Sequence, residues 1–493
     1  SGRNRESASN LKMAMKVPFK KNFKHSDVRQ ALFDIGQGMN YSEPMQIDLP
    51  PEEANDNANL EEYPIVENPT IPDLESYANS YTGQAKILRL MYIADHCTVL
   101  RKDALKLAIA HIENTYNTHA YKVCHDKLAE ALGGERPDAD TPVFNSVWYD
   151  TQSKKAALKL EKLDSDLKNH KANSIKESIR RGQEDLAEHH LDCGNYHDAL
   201  KAFSRARDYC ISSKHIVDMC LNVIKVSIYL KNWTHVLTYF TKAEAHSPPV
   251  ESLTKLECAS ALAEMALQRY KQAALHFLRA NIDHSNFPDI MTPSNVATYG
   301  TLCALATFNR EELQNEVISS SSFKLFLEQE PALREVATNF FKSKYDTALK
   351  ILEDIKDNLL LDMYLAPHVN SLYAQIRSRA LIQYFRSYSS ADLRIMASAF
   401  NTTVSDLQLE LIPLIQKGQI SARINSEELI LKEHVIDERV VTFETTREQG
   451  REYQRLVKVE VMRALAIKHG ICVTKDSEER KGLFSGNSVP EEE

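Results

Sequence analysis

From about Leu74 the apolar residues fall into helical register, with Tyr77, Tyr81, Ala85, Leu88 and Tyr92 on one face. Further along, the pattern repeats itself. Its clearest copy reads Leu186-Ala187, Gly194-Asn195-Tyr196, Ala199, Phe203 and Ala206. An aromatic residue followed three positions later by a small one recurs at Trp233 with Val236, Tyr270 with Ala273 and Tyr345 with Ala348. A degenerate copy at Phe308, with Glu311 in the small position, counts by spacing only. Successive aromatics are 37, 37, 38 and 37 residues apart. Phe240/Ala243 and Phe277/Ala280 repeat the later pair Phe203/Ala206. Such a period predicts stacked helical hairpins, because small residues let two helices approach while the aromatic wedges beneath the turn. The intervals exceed the roughly 34 residues of a tetratricopeptide repeat, so the array is tetratricopeptide-like. It spans residues 181–384 and follows an N-terminal helical region at 74–180.

The pattern changes after Phe385. Ser390-Ala391-Asp392 is a good N-cap, and Leu393, Met396, Ala397 and Phe400 make a short amphipathic helix. After the turn Asn401-Thr402-Thr403, a second helix runs from Val404 toward Lys417, where Gly418 closes it. Pro413 inside it removes a hydrogen bond at a cost of about 3 kcal/mol and predicts a bend or an early end. Ile420, Ala422 and Ile424 then alternate as a strand, Asn425-Ser-Glu-Glu turns, and Leu429 to Leu431 returns. Helix, turn, helix and hairpin make a winged helix over 385–440. A final helix at 441–470 aligns Phe443, Gly450, Tyr453, Val457, Val461 and Ala464 in one stripe. A charged tail, 471–493, ends the chain. The fold class is therefore an all-α helical-repeat solenoid followed by a winged helix with a small β-hairpin and a C-terminal helix.

Charge divides the first 73 residues, which show no helical period and read as a flexible segment. Residues 1–40 carry a net +5 and residues 41–75 a net −10, the latter with six prolines. The run from Lys16 to Lys24 fits a nuclear import signal and, better, a solvated tail. Gly133-Gly134 to Pro137 marks a loop before a long helix that starts near Trp148. Its sequel, Lys154 to Arg181, holds nine Lys/Arg against four Asp/Glu. It reads as a solvated face laced with pairs such as Asp164/Lys168 rather than as a docking site for an acidic partner. The overall net charge of −8 gives no electrostatic reason to expect nucleic acid. Eight scattered cysteines read as reduced thiols of a cytoplasmic or nuclear protein. No apolar run reaches the roughly 18 residues of a membrane span, and no signal peptide opens the chain.

The search for chemistry nominates no catalytic, cofactor or metal residue. Gly36-Gln-Gly38 lacks the third glycine of a dinucleotide loop, and neither a P-loop nor His-Glu-x-x-His occurs. His189 and His190 are adjacent on a helix and point about 100° apart, so they chelate poorly together. Cys124-His125-Asp126 spells a catalytic trio, but a real trio converges from separate elements. The second winged-helix helix sets Asp406 and Glu410 against Lys417, whereas a nucleic-acid reader needs cations and amides. That module reads as one that packs against protein.

Repeats running into a winged helix and then a C-terminal helix resemble the PCI family of proteasome-lid, signalosome and initiation-factor scaffolds. Five runs narrow the resemblance: Glu43–Asp48, Asn173–Gly182, Met219–Ser227, Ile318–Glu328 and Asp357–His368. Together they resemble the subunit-1 branch of the COP-nine signalosome, over residues 43–470. The resemblance implies a non-catalytic subunit, in cytoplasm and nucleus, of the complex that removes the ubiquitin-like modifier NEDD from cullin–RING ligases. It implies that the metalloprotease is a separate subunit and that no cofactor is held here. The expected partners are other signalosome subunits, through winged helices side by side and a C-terminal helix bundle, with cullin–RING ligases as substrates of the complex. Mapped onto this chain, the assembly residues are Ile420, Ala422, Ile424, Leu429 and Leu431 of the wing, with Phe443, Gly450, Tyr453, Val457, Val461 and Ala464 of the stripe. Packing of that stripe on its own winged helix is the equally open alternative.

Overall fold

A computed structural model describes Val66, Pro69 and residues 73–132, 142–434 and 437–471. The basic run at 16–24, Gly36-Gln-Gly38, the run Glu43–Asp48, the Gly133–Pro137 loop and the tail beyond 471 lie outside the described residues.

The N-terminal region comprises α1 (Leu74–Asn79), α2 (Gly83–His96), α3 (Arg101–Ile112) and α4 (Thr118–Leu132), and α5 (Ser146–Ala172) leads out of it. Three hairpins follow: α6 (Lys176–Asp192) with α7 (Tyr196–Ala206), α8 (Ser213–Tyr229) with α9 (Trp233–Glu244), and α10 (Val250–Ala266) with α11 (Tyr270–Arg279). Then come α12 (Pro293–Thr307), α13 (Ser321–Gln329), α14 (Pro331–Phe341), α15 (Tyr345–Leu360) and α16 (Ala366–Phe385). Side chains cap the helices where the sequence supplies them. Ser212 accepts from Lys214 N and Asn232 from His235 N, and Thr292 accepts from Asn295 N ahead of Pro293 in the first turn.

The repeat is written into the backbone as well as the side chains. Gly194, Lys231, Gln268 and Ser343 all adopt left-handed φ, between 56° and 82°. Each stands two residues before the repeat aromatic, so every hairpin turns through the same strained geometry. At Gly194 the crowding adds to the strain, since a Cβ there would lie 2.7 Å from Asn117 Nδ2. The small residues Ala199, Val236, Ala273 and Ala348 are buried as the pattern requires. The copy at Phe308 departs from the others. Phe308 is buried at the end of α12, but Glu311 is exposed, and in place of a second helix there is one turn, Arg310–Glu312, and a π-helical segment, Leu313–Ile318. A glutamate in the close-approach slot cannot be buried against a neighbour, so the hairpin is not completed there.

The winged helix is β1 (Ser390–Asp392), α17 (Leu393–Ala399), α18 (Val404–Gln416), β2 (Ala422–Asn425) and β3 (Ile430–Glu433). Its antiparallel sheet has the order β1-β3-β2, with Ala391 and Ile424 both opposite Leu431. Ser390–Asp392 is thus a strand besides a cap, for Asp392 also accepts from Arg394 N. The early end predicted at Pro413 does not occur. The helix continues to Gln416, and Gly418 closes it at φ 69°. Leu409, whose carbonyl loses its partner, is 67% exposed, so the missing bond falls on the solvent side of the helix.

Aromatic stacking and an ion pair help tie this module to the repeats. Tyr345, a repeat aromatic, stacks on Phe400 with ring centroids 5.4 Å apart. Arg377 of α16 donates to Glu410 of α18 at 2.8 Å. The acidity of α18 therefore has a structural use. The last described helix is α19 (Glu438–Lys468).

Candidate assembly surface

Helix α19 is 31 residues long and contains no buried residue. At 1.5 Å per residue it extends about 46 Å. Asp437 caps it by accepting from Arg439 N, and Gly470 stands beyond its end at φ 67°. These signals define a helix, yet in proteins most helical stability comes from packing an apolar face. The stripe residues Phe443, Gly450, Tyr453, Val457, Val461 and Ala464 are all exposed, Phe443 to 67% and Tyr453 to 69%. Among the described residues, none of the stripe is covered by the winged helix.

The stripe is only part of what α19 displays. At 100° per residue, Leu456, Val459, Met462 and Ile467 fall on its other sides, and all four are exposed. Between 456 and 467 only Lys458, Glu460 and Arg463 are charged. A helix apolar on all sides is ordinarily one enclosed by others. The period of a single stripe hid this, although the residues off the stripe were legible in the same segment.

The wing divides differently from expectation. Ile420, Ala422 and Leu431 are buried at 5% exposure or less, so their side chains form the winged-helix core and present nothing to a partner. This follows from strand alternation, which turns one face of β2 and β3 onto α17 and α18. Ile424 and Leu429 are half-buried against the same core. What β2 retains for assembly is its position, because it pairs with β3 alone and forms an edge of the sheet. On the helical side, Leu409 and Ile412 of α18 and Ile395 of α17 are exposed, none of which the sequence singled out. The exposed side of α18, the helix that reads bases in a DNA-binding winged helix, mixes Leu409 and Ile412 with Asp406 and a single cation, Lys417.

The residues that resembled chemistry serve packing. His189 lies 3.0 Å from the Ala156 carbonyl oxygen through Nε2, and Cys193 Sγ is 3.8 Å from the same nitrogen. Burial pushes both thiols, Cys124 and Cys193, up to about 11 and holds His125 and His189 below the usual imidazole value. Protonated thiols are poor nucleophiles and poor ligands. Among the described residues, no group of three His, Cys, Asp or Glu is gathered to hold a metal ion. The basic stretch is split by Ser174 at φ 54°, and the lysines of α5 after Lys154 are mostly exposed. Arg180 differs, being buried between Glu177 at 2.7 Å and Glu184. No Asp164–Lys168 pair occurs among the described ion pairs.

Comparison with known proteins matches two family models, "26S proteasome subunit RPN7" over residues 145–316 and "PCI domain" over residues 352–432. The chain is similar to COP9 signalosome complex subunit 1b of Drosophila melanogaster, 49% identical over 89% of this chain and 93% of the relative. It is also similar to COP9 signalosome complex subunit 1 of Arabidopsis thaliana, 42% identical over 80% and 90% of the respective lengths. The Emericella nidulans subunit 1 is 32% identical over 83% and 84%. With its repeats, its winged helix and an exposed C-terminal helix in this order, the chain belongs to the COP9 signalosome complex subunit 1 family of PCI-domain proteins.

Proposed function

We propose that this chain is a non-catalytic scaffold subunit through which the signalosome removes the ubiquitin-like modifier NEDD from cullin–RING ligases. The observation that carries the reading is α19, a 31-residue helix with exposed apolar residues on several sides and none of its residues buried among the described residues. Fully burying a Val, Leu or Phe side chain is worth about 1.5–3 kcal/mol, so enclosing this helix among helices of other subunits gives a large driving force for assembly. The β2 edge and the apolar outer faces of α17 and α18 supply a second surface, on which a neighbouring winged helix adds laterally. The N-terminal helices and the repeats are then the part that meets cullin–RING ligases or neighbouring subunits, and the isopeptidase is a separate subunit. The assignment to cytoplasm and nucleus rests on the family. Among the described residues no helix is long and apolar enough to cross a membrane.

The match to the proteasome RPN7 model favours a second reading, a subunit of the proteasome lid with the same architecture. The test is native mass spectrometry of the tagged full chain and of a 440–493 deletion, purified gently from cells. Recovery of the full chain with a zinc isopeptidase subunit, and of the deletion alone, supports the scaffold reading. Recovery with proteasomal ATPases assigns the chain to the lid, and stoichiometric incorporation of the deletion removes α19 as the assembly element. A nucleic-acid regulator would instead show micromolar binding that falls steeply with salt.

A further inference from the structure

Between the N-terminal helices and the later repeats lies a cavity of about 920 Å³. Ligand pockets typically enclose roughly 300–1,000 Å³. Its two walls differ in character. One carries Leu333, Ile355 and Leu359 from α14 and α15; the other carries Tyr81 from beyond α1, with Asn295 and Thr298 from α12. Among the described residues that line it there is no Lys or Arg, and both charged groups are carboxylates, Asp362 and Glu330.

Those carboxylates are not equivalent. Asp362 Oδ2 accepts from Arg89 at 2.9 Å, Asn295 at 2.8 Å and Tyr299 at 2.6 Å, while Oδ1 accepts from the Tyr364 amide at 3.0 Å. It is saturated and its charge is neutralised. Glu330, half-buried where α13 gives way to α14, accepts from the Ser294 hydroxyl and meets no cation among the described ion pairs. Thr298 donates to the Ser294 carbonyl at 2.9 Å, which leaves its hydroxyl oxygen able to accept.

We propose that this cavity binds a short peptide segment of a partner protein that presents an aliphatic side chain beside a lysine or arginine. The aliphatic group covers Leu333, Ile355 and Leu359. The cation meets Glu330, and a main-chain N–H donates to Thr298. Glu330, which meets no cation among the described ion pairs, rejects an acidic segment at the same position. The site uses no residue of α19, so it stands or falls separately from the assembly reading.

The test is fluorescence anisotropy on the intact chain with three labelled hexapeptides in a Gly/Ser context, containing Leu-Arg, Leu-Glu or Ser-Arg. The expected result is saturable binding of the Leu-Arg peptide, with each control at least about tenfold weaker. Glu330→Gln should lose most of the preference for Leu-Arg over Leu-Glu, and Thr298→Trp, which fills the cavity from a half-buried position, should abolish binding. Circular dichroism melting of both variants confirms folding, and methyl NMR of Ile355 locates the peptide in the wild-type chain. No saturation by about 1 mM, equal binding of the Leu-Glu peptide, or an Ile355 methyl unmoved at saturation overturns the proposal.

Discussion

Arg89 and Asp362, 273 positions apart, form an ion pair of 2.9 Å whose side chains are 1% and 13% exposed. The pair joins α2 to the turn between α15 and α16. The Arg89 guanidinium also donates to Tyr77 Oη at 3.2 Å and to the Ile290 carbonyl at 3.2 Å, and it lies over the Tyr81 ring at 4.3 Å. Burial opposes its charge, but Asp362 holds its pKa well above the usual value, while burial pushes Tyr77 and Tyr299 up so that both phenols stay neutral. Nearby, Asp289 receives Thr82 at 2.8 Å and Lys225 at 2.6 Å. The N-terminal helices are thereby bound to the repeats by a polar network that is buried at Arg89 and half-exposed at Asp289.

Removing one partner of such a pair strands a charge that water cannot reach, at a cost of about 3–5 kcal/mol. Asp362→Ala should therefore lower stability by that amount in urea denaturation. The double variant Arg89→Leu with Asp362→Leu should be less destabilised than the sum of the two singles. Additive losses would show that the pair contributes little beyond its packing.

Arg89 was not legible in advance, and the reason is physical. Helical period reports which face of a segment is buried, and Tyr77, Tyr81 and Ala85 were placed on one face accordingly. It does not report what covers that face, because the partner lies hundreds of residues away. A signal did exist, for Arg89 falls four residues after Ala85 on that apolar stripe, where a solvated arginine does not belong. The repeats were legible because their contacts are local and recur. The third hairpin interval failed at Phe308, where Glu311 had already broken the pattern. Strand alternation placed the wing, but it could not separate a face packed on the molecule's own helices from one offered to a partner.

The hairpin turns predict opposite effects at equivalent positions. Lys231 and Gln268 are exposed residues held at φ 56° and 63°, a conformation that costs a residue with Cβ about 1–2 kcal/mol. Glycine relieves that strain and gives back about 0.5–1 kcal/mol in chain entropy, so Lys231→Gly and Gln268→Gly should raise stability by up to about 1 kcal/mol. Gly194→Ala should lower it by more than that, since strain and the clash with Asn117 combine. Urea midpoints at constant m-value measure all three.

Stability should fall as the solution is acidified below neutrality. Burial lowers the pKa values of His125 and His189, and His111 shifts the same way through burial and the nearby Lys86 charge. His125 Nε2 and His189 Nδ1 are buried without hydrogen-bond partners, so protonation would bury a charge there. Between the lowered folded values and the ordinary value near 6.5, the unfolded chain binds more protons, and stability rises with pH. It is fully present above about pH 6.5 and is lost as pH falls through that value. Glu188, pushed up by burial and by Asp185 and Asp192, acts in the opposite sense. Comparing melting temperatures of the wild type with His125→Gln and His189→Gln across pH 5 to 8 cancels that contribution, and shallower slopes in the variants are the expected result.

The last prediction separates residues that build the winged helix from those that display it. Val457 and Val461 are exposed to 42% and 52% and contribute nothing to the chain's own core. Val457→Glu with Val461→Glu should therefore leave the melting of the isolated chain unchanged within about 0.5 kcal/mol, as expected of surface positions. In cells the same variant should be lost from the assembly, because each glutamate would have to be desolvated within a helix bundle. Leu431→Glu should behave in the reverse order. Its side chain is fully buried, opposite Ala391 and Ile424, and a charge there should unfold the winged helix before assembly is ever tested. Melting of the purified variants, followed by native mass spectrometry from cells, reads both effects. A destabilised Val457/Val461 variant would mean that α19 folds back onto its own chain in solution, and loss of assembly would then report folding rather than recognition.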